Sequence, residues 1–506
     1  MNAEKYMRSY KKAKAFRENW VPLFEECYEY SLPMRESFYE ETAGQRRDEK
    51  IFDETAVVGV QEFASRLQAG IVPNYARWAD FISGSEVPPE DRASVDESLD
   101  AVTDYVFEVL QNSNFAQEVH ETFMDLAVGT AILSVEEGDA VNPIIFSAIP
   151  LPQVVLEAGP DNQIDKVYRE RKRVKFAELN VLFPKEEFAP EVKEKMKGEE
   201  ETTVLEVICR DRSKPLEEVN QYYAICMTTK TILATDEMKG VGSNPIITFR
   251  WSKCAGEVYG RGPLVAALSA IKTTNHTVRM VLENAQMAIA GIYQMDDDGV
   301  INPDTINLVP GTIIPKAIGS GGLQPIQSAG RFDVSQMILS EQRHNIKLAL
   351  YNDMLGNPDR TPASATEIVE RQADLSRRMG AAFGRLQAEL VQPVLRRVVY
   401  ILRKQGRIDI PKINGREVKI RATSPLAQAQ ANQDISSVAR FLEMVGGTFG
   451  PEVMGMVVDP EKASQYLAKK FGVPESLLRD EEQRKQIAAM AQQMAQQQQG
   501  QPVEQG

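Results

Sequence analysis

Arg343 and Lys347 stand four residues apart on one face of a helical stretch in which Glu341 is the nearest acid. With Arg360 in the loop beyond, they could make local contacts to phosphate, each contact releasing counterions from a nucleic acid. The same pattern describes a solvated helix face, and residue types alone leave both readings open. Other chemistry finds little support. A nucleotide-driven motor needs G-x-x-x-x-G-K-[ST], whose amides and Lys cradle a triphosphate. The chain lacks it: Gly319-Ser-Gly-Gly has no following Lys, and Gly240 to Gly242 runs into Asn244-Pro245, so both read as loops. The acidic turn Asp296-Asp-Asp-Gly aligns with a calcium loop only by placing Gln294 first and Thr305 twelfth, where Asp and a bidentate Glu are required.

Cys27, Cys209, Cys226 and Cys254 form no CxxC pair, which argues against a disulfide framework or a zinc site and for free thiols in or near cores. His120, His276 and His344 are equally scattered, and no spacing singles out two carboxylates for acid/base work. No catalytic, cofactor-binding or metal-ligating residue is therefore assigned, and the expectation is a protein that is not an enzyme and uses no cofactor.

At 506 residues, with 43% apolar and 26% charged composition, the chain is long enough for a large core divided among subdomains. The net charge of −14 has the wrong sign for gripping nucleic acid over a broad surface, so any such contact must be local or weak. Residues 1–17 carry six Lys or Arg without the apolar run of a signal peptide, and no segment approaches the roughly 20 apolar residues of a membrane span. The expectation is a soluble protein made in a cytoplasm, with no membrane partner.

The elements follow from periodicity. Helices broken at Pro22, Pro33 and Pro73 open the chain, including a stripe of Val57, Val60, Phe63, Ala64 and Leu67, and further helices are predicted over Val95–Leu110 and Phe115–Ala127. Short apolar runs from Ala131 to Phe249 predict a sheet-rich, mixed α/β part. From Pro263 to Ala290 a helix carries Leu264, Leu268, Ile271, Asn275, Val278, Leu282, Ala285 and Ile289 at spacings of four and three, a heptad-like seam with one polar interruption. Residues 291–330 are loop- and strand-like, Phe332 to Asn352 is a second helix, and Leu355 to Pro362 is a loop. A long helical pattern, Ala365 to Lys404, has the stripe Ile368, Leu375, Met379, Ala382, Leu386, Leu390, Val394, Val398 and Leu402, with Arg371, Asp374, Arg378, Arg385, Glu389 and Arg396 on other faces. Pro393 should bend it, since proline lacks the amide proton. Ile408–Ile410 and Val418–Arg421 read as a hairpin about Asn414-Gly415, and the mainly helical remainder ends in a Gln-rich tail.

Several of these segments together resemble the head-to-tail connector, or portal, family of short-tailed bacteriophages. They are Phe63-Ala-Ser-Arg-Leu-Gln-Ala-Gly-Ile-Val-Pro with Trp78-Ala-Asp-Phe, Tyr259-Gly-Arg-Gly-Pro with Ala267-Leu-Ser-Ala-Ile-Lys, and Ala365-Thr-Glu-Ile-Val-Glu-Arg with Gly384-Arg-Leu-Gln-Ala-Glu-Leu-Val-Gln-Pro-Val-Leu-Arg-Arg. The resemblance covers residues 57–421 and rests on the order of blocks.

It implies a mixed α/β, mainly α-helical portal fold assembled as a dodecameric ring. By carry-over, 1–262 becomes a wing, 263–290 a first stem helix, 291–330 a clip and 331–353 a second stem helix. A tunnel loop then occupies 354–365, the long kinked helix and returning wing strands 366–425, and a crown or barrel 426–506. It further implies a channel at one capsid vertex for packaging, retaining and ejecting double-stranded DNA. The partners it implies are the terminase large subunit, tail adaptor and tail-tube proteins, scaffold and major capsid protein. In that setting Arg343, Lys347 and Arg360 become channel candidates, Leu268, Ile271, Asn275, Val278 and Leu282 the stem seam, and Asn275 a candidate register-setting position between helices. The competing readings are another virion subunit, of capsid shell or tail tube, and a hydrolase.

Overall fold

The computed structural model describes residues 3–39, 47–88, 90–184, 186–213, 217–294 apart from 291–292, 318, 324–325, 332–352, 378–410 and 416–425, and short stretches within 427–467. Helices α1 (Ala3–Arg17), α2 (Val21–Ser31) and α3 (Thr55–Ile71) lead to strand β1 (Ala79–Ser83), then α4 (Arg92–Asn112) and α5 (Phe115–Leu126). Strands β2 (Thr130–Glu137), β3 (Ile144–Ala148), β4 (Val154–Ala158) and β5 (Ile164–Lys175) follow, then short helices α6 (Leu179–Leu182) and α7 (Pro190–Lys195). Next come β6 (Glu201–Arg210), β7 (Val219–Cys226), β8 (Thr231–Lys239) and β9 (Ile246–Arg250). Helix α8 (Pro263–Ala290), the two-residue strands β10 (Tyr293–Gln294) and β11 (Gln324–Pro325), α9 (Phe332–Ala349), α10 (Gln392–Lys404) and β12 (Val418–Ala422) complete the described elements.

The contacts divide the chain into two compact units, one of Met1–Trp20, Phe63–Gly262 and Met354–Gly506, the other of Val21–Glu62 and Pro263–Asp353. The block 1–262, read from the sequence as one wing, is therefore split: residues 21–62 fold with the α8–α9 hairpin.

In the first unit the sheet-rich region forms a five-stranded antiparallel sheet, β4-β5-β6-β7-β8, and a three-stranded sheet, β3-β2-β9. Alternate inward residues of the larger sheet, Val155, Tyr168, Leu205, Val207, Tyr223 and Ile225, form one core with Met7, Tyr10 and Ala13 of α1. The basic N-terminal segment is thus a docked helix: Tyr6 stacks on Tyr223 at 4.3 Å, and Lys14 Nζ pairs with Glu170 at 2.8 Å. The opposite face packs on α6 and α7 through Phe176, Leu179, Phe188 and Val192.

The hairpin read over 408–421 is not what the described residues form. Val418–Ala422 pairs antiparallel with β1, Ser83 opposite Val418 and Ala79 opposite Ala422, while Ile408–Ile410 adopts no strand; Asn414 and Gly415 lie outside the described residues. A turn signal fixes only neighbours in sequence, whereas this pairing spans more than 300 residues. The ribbon continues through Gly84, whose N–H donates to Glu417 O at 2.8 Å. A Cβ on Gly84 would sit 1.8 Å from Arg416 O. Gly84→Ala should therefore force the ribbon apart and cost about 2 kcal/mol, read as a lowered urea midpoint; an unchanged midpoint would mean the two strands are not held together there.

Candidate functional site

Pro263 opens α8 where a missing N–H is harmless. Leu264, Leu268 and Ile271 are buried, as is Asn275. Beyond Asn275 the seam runs out of cover: Val278 is half-buried and Leu282 is 52% exposed, and off the seam Met280 is 49% exposed as well. Helix α9 packs against α8 and buries Ile346, with Leu350 buried just past its end, yet leaves Met337 73% exposed along with Ile338 and Leu348. The second unit thus presents apolar side chains on both helices of its hairpin.

Asn275 makes three bonds inside its own chain. Its Oδ1 accepts from Phe52 N at 2.6 Å and Asp53 N at 3.2 Å, and its Nδ2 donates to Lys50 O at 2.7 Å. The side chain therefore anchors the segment before α3, and its hydrogen-bonding groups are committed there rather than to a neighbouring helix seam. Asp53 in turn accepts from Thr55 N at the start of α3 through Oδ1, and its Oδ2 lies 2.7 Å from Arg343 Nη2. Asn352 Nδ2 donates to Gly59 O, fastening the end of α9 to α3.

Arg343, read as a channel cation, is thus the counter-ion of a carboxylate that is only 6% exposed. To reach phosphate it would leave Asp53 buried without its cation, a costly exchange. Lys347 is exposed and makes no ion pair with described residues. Arg360, the tunnel-loop residues Leu355–Pro362 and most of 291–330, including the acidic turn and Gly319-Ser-Gly-Gly, lie outside the described residues.

In the first unit, the helix changes its winding just before Pro393. The helix winds as a π-turn over Gln387–Val391, with Gln392 N donating to Gln387 O, and α10 then carries Pro393 in its first turn. The π-turn aims Glu389 at β9: its Oε2 accepts from Arg250 N at 3.0 Å and Nε at 3.2 Å, and its Oε1 lies 2.7 Å from Arg250 Nη2. Arg250 is 5% exposed, so Glu389 is not the surface decoration its spacing suggested. Two turns on, buried Arg397 donates from Nε to Val135 O at 3.0 Å and from Nη1 to Ser243 O at 2.8 Å. Burial lowers its basicity from the ordinary guanidinium value. Nη1 also reaches Gly242 O at 3.5 Å, so the last residue of the Gly240–Gly242 turn and Ser243 after it supply acceptors to this arginine.

The motif Tyr259-Gly-Arg-Gly is explained residue by residue. Buried Tyr259 accepts from Leu156 N through its hydroxyl at 3.1 Å, and Arg261 lies 4.9 Å over the Trp20 ring. Gly260 and Gly262 have no room for a Cβ, which would lie 2.2 Å from Gly129 O and 2.1 Å from Ala127 O. In the block Phe63 to Phe81, Phe63 meets Trp251 and Trp78 meets Phe107 edge to face.

Among the described residues no three His, Cys, Asp or Glu side chains converge as metal ligands would. Cys27 and Cys226 are buried, with burial pushing the Cys27 thiol up to about 12, whereas Cys254 is exposed, contrary to the expectation for every thiol. A cavity of about 540 Å³ lies beside Trp78, Phe107 and Phe115 and holds His120, whose Nδ1 is 3.2 Å from Gln68 Oε1. The arrangement as a whole supplies fixed packing surfaces and anchored loops. Buried Arg250 and Arg397 escape a reading of the sequence, because arginine in a strand or helix gives no sign of burial; the four-residue spacing around Glu389 is the one available clue.

A family model for bacteriophage head to tail connecting proteins matches residues 3–478. A probable portal protein of Bordetella phage BPP-1 is 24% identical over 495 residues, covering 91% of this chain and 86% of that one. The portal protein of Salmonella phage epsilon15 is 22% identical over 465 residues, covering 87% and 81%. Among solved structures, a chain of the virion of a native gene transfer agent particle aligns with a TM-score of 0.41 at 12% identity, covering 83% of this chain and 93% of that one.

Proposed function

Because this chain belongs to the family of bacteriophage head to tail connecting proteins, we propose that it forms the portal, a closed ring of twelve copies through which double-stranded DNA enters and leaves the capsid. The observation that carries the ring is the α8 seam, buried in its own chain as far as Asn275 and then exposed at Leu282, together with exposed Met337 on α9. In a closed ring each copy offers two different surfaces to two neighbours, and an apolar hairpin face that the described residues leave uncovered is a surface of that kind.

On this reading α8 and α9 are the stem, 291–330 the clip, 354–365 the tunnel loop, and the first unit without its C-terminal part the wing, with 426–506 as crown or barrel. The work of the protein is mechanical. Twelve copies, each at −14, make a ring that repels a polyanion, so the duplex slides rather than sticks. Lys347 and Arg360 are sparse cations that would touch phosphate, while Arg343 maintains the hairpin. Energy for packaging would come from a docked terminase ATPase, tail adaptor proteins would replace it at the clip, and scaffold and major capsid protein would meet the ring during assembly.

Lys347→Ala with Arg360→Ala should leave unfolding unchanged and lower the log-log salt slope of DNA binding by about 0.9 per lost contact, with poorer genome retention. Arg343→Ala should instead lower the unfolding midpoint and leave that slope alone. Equal slope losses from Arg343→Ala and Lys347→Ala would overturn this division of labour. Placement is tested by gold-labelling a tagged copy in assembled particles: label at the single vertex joined to the tail is expected, and label spread over the shell or along the tail would reject the portal reading.

A further inference from the structure

In the first unit, α1 sorts its basic residues by face. Two turn inward and are used: Lys14 Nζ pairs with Glu170 at 2.8 Å, and buried Arg17 donates from Nη1 to Pro152 O at 2.9 Å and to Val154 O at 2.8 Å. Met7, Tyr10 and Ala13 hold the same side of the helix in the core of the larger sheet, and the Ser9 hydroxyl donates to Glu157 Oε2 at 3.2 Å. Lys5, Arg8, Lys11 and Lys12 lie on the other side. All four are exposed, and among the described residues none of them makes a hydrogen bond or an ion pair.

At 3.6 residues per turn these four side chains fall within about a third of the helix circumference, and Lys5 to Lys12 span about 10 Å of its axis. The one acid of the helix is Glu4, and Glu18 follows just past its end. The carboxylates that meet α1 on the sheet, Glu157 and Glu170, are already taken by Lys166 and Lys14. The outward face is therefore positive within a chain of net charge −14, and screening over about 8 to 10 Å keeps distant carboxylates from cancelling it. A protein partner would call for apolar area at the middle of the contact and charge at its rim. Here charge holds the middle, and exposed Ala15 and Phe16 stand at one end. A row of Lys and Arg without an apolar centre matches a phosphate backbone, whose contacts are mostly made by such side chains.

We propose that the outward face of α1 contacts the phosphate backbone of double-stranded DNA, without regard to base sequence. This goes beyond the portal reading, which brings the duplex to the protein but gives α1 no part in handling it. The contact is separate from Lys347, which belongs to the other compact unit. Because the opposite face is docked, the helix carrying the four cations is already ordered before DNA arrives. Each phosphate contact releases counterions, so the hold is firm at low salt and weak at high salt.

The test uses the full-length protein and a fluorescent duplex of random sequence, titrated over a range of salt. Lys5→Gln, Arg8→Gln, Lys11→Gln and Lys12→Gln together should weaken binding about tenfold or more at 0.1 M salt. They should also lower the log-log salt slope by about 0.9 per lost contact, up to about 3.6, while the unfolding midpoint stays where it was. Lys5→Arg, Lys11→Arg and Lys12→Arg together keep the charge and should bind as the unmodified protein does. A second measurement needs only one change on the helix: with Cys254→Ser as background, Arg8→Cys carrying a thiol-linked photo-crosslinker should attach to the duplex, and the background alone should not. Unchanged affinity and slope in the Gln variant overturn the proposal, as does a missing crosslink from position 8 or equal loss in the Arg variant. Loss of a capsid or tail protein from the Gln variant with DNA binding intact also overturns it and makes the face a protein contact. All of these leave the portal reading standing, since that is decided by ring images and by label at the tail vertex.

Discussion

Glu389→Ala should lower the stability of the first unit by about 4 kcal/mol, the cost of leaving a buried charge without its partner. Arg250 is almost wholly enclosed, and without the carboxylate its described hydrogen bonds reduce to one, from Nη1 to Val258 O at 3.1 Å. Glu389→Gln keeps an acceptor and should cost less. The decisive variant is Arg250→Met with Glu389→Leu: replacing both partners by apolar groups removes the orphaned charge, so the double change should cost much less than Glu389→Ala alone. Urea unfolding of the four proteins gives the cycle. If Glu389→Ala alone is neutral, the pair is not the tie between β9 and the π-turn.

Asn275→Leu carries the second large effect. It removes one acceptor and one donor and leaves Phe52 N, Asp53 N and Lys50 O without their partner, costing about 3 kcal/mol in the second unit. The loss should spread to the neighbouring ion pair, because Asp53 is held in place partly by the same asparagine. Hydrogen exchange should therefore quicken at residues 50–56 and around Arg343, with a lowered unfolding midpoint. A register-setting asparagine at a seam between copies would behave oppositely: leucine there would stabilise packing and alter the number of copies per ring. An unchanged midpoint with altered ring size would restore that reading and contradict the intramolecular anchor.

What can be read from the sequence follows the range over which each signal acts. Pro263 and the four-three spacing after it mark α8, and short apolar runs bounded by Pro, Gly and Asn mark the strands between Ala131 and Phe249, because both signals are local. The π-turn is also written there. Leu386, Leu390, Val394, Val398 and Leu402 are each four apart, and in an α-helix four-residue steps drift about 40° each. One wider turn at Gln387–Val391 takes up part of that drift and keeps Leu386 and Leu390 both buried. Periodicity alone assigns the disturbance to Pro393 and misses this second cause.

Partners distant in sequence are not legible. Nothing near Arg343 names Asp53, and nothing near Val418 names Ser83, so the first reads as a free cation and the second as half of a local hairpin. Similarly, Asn275 looks the same in a seam between helices and in a cradle for residues 50–53; only the fold distinguishes them. The family is legible nonetheless because it is carried by the order of blocks along the chain, and the match over 3–478 spans most of its length.

On the ring reading, copies of this chain supply one another with the apolar surface that α8 and α9 leave uncovered among the described residues. Class-averaged electron micrographs of the purified protein, viewed down the particle axis, test it most directly. Closed rings of twelve subunits around an open channel are expected. Compact single subunits persisting at high concentration would contradict it.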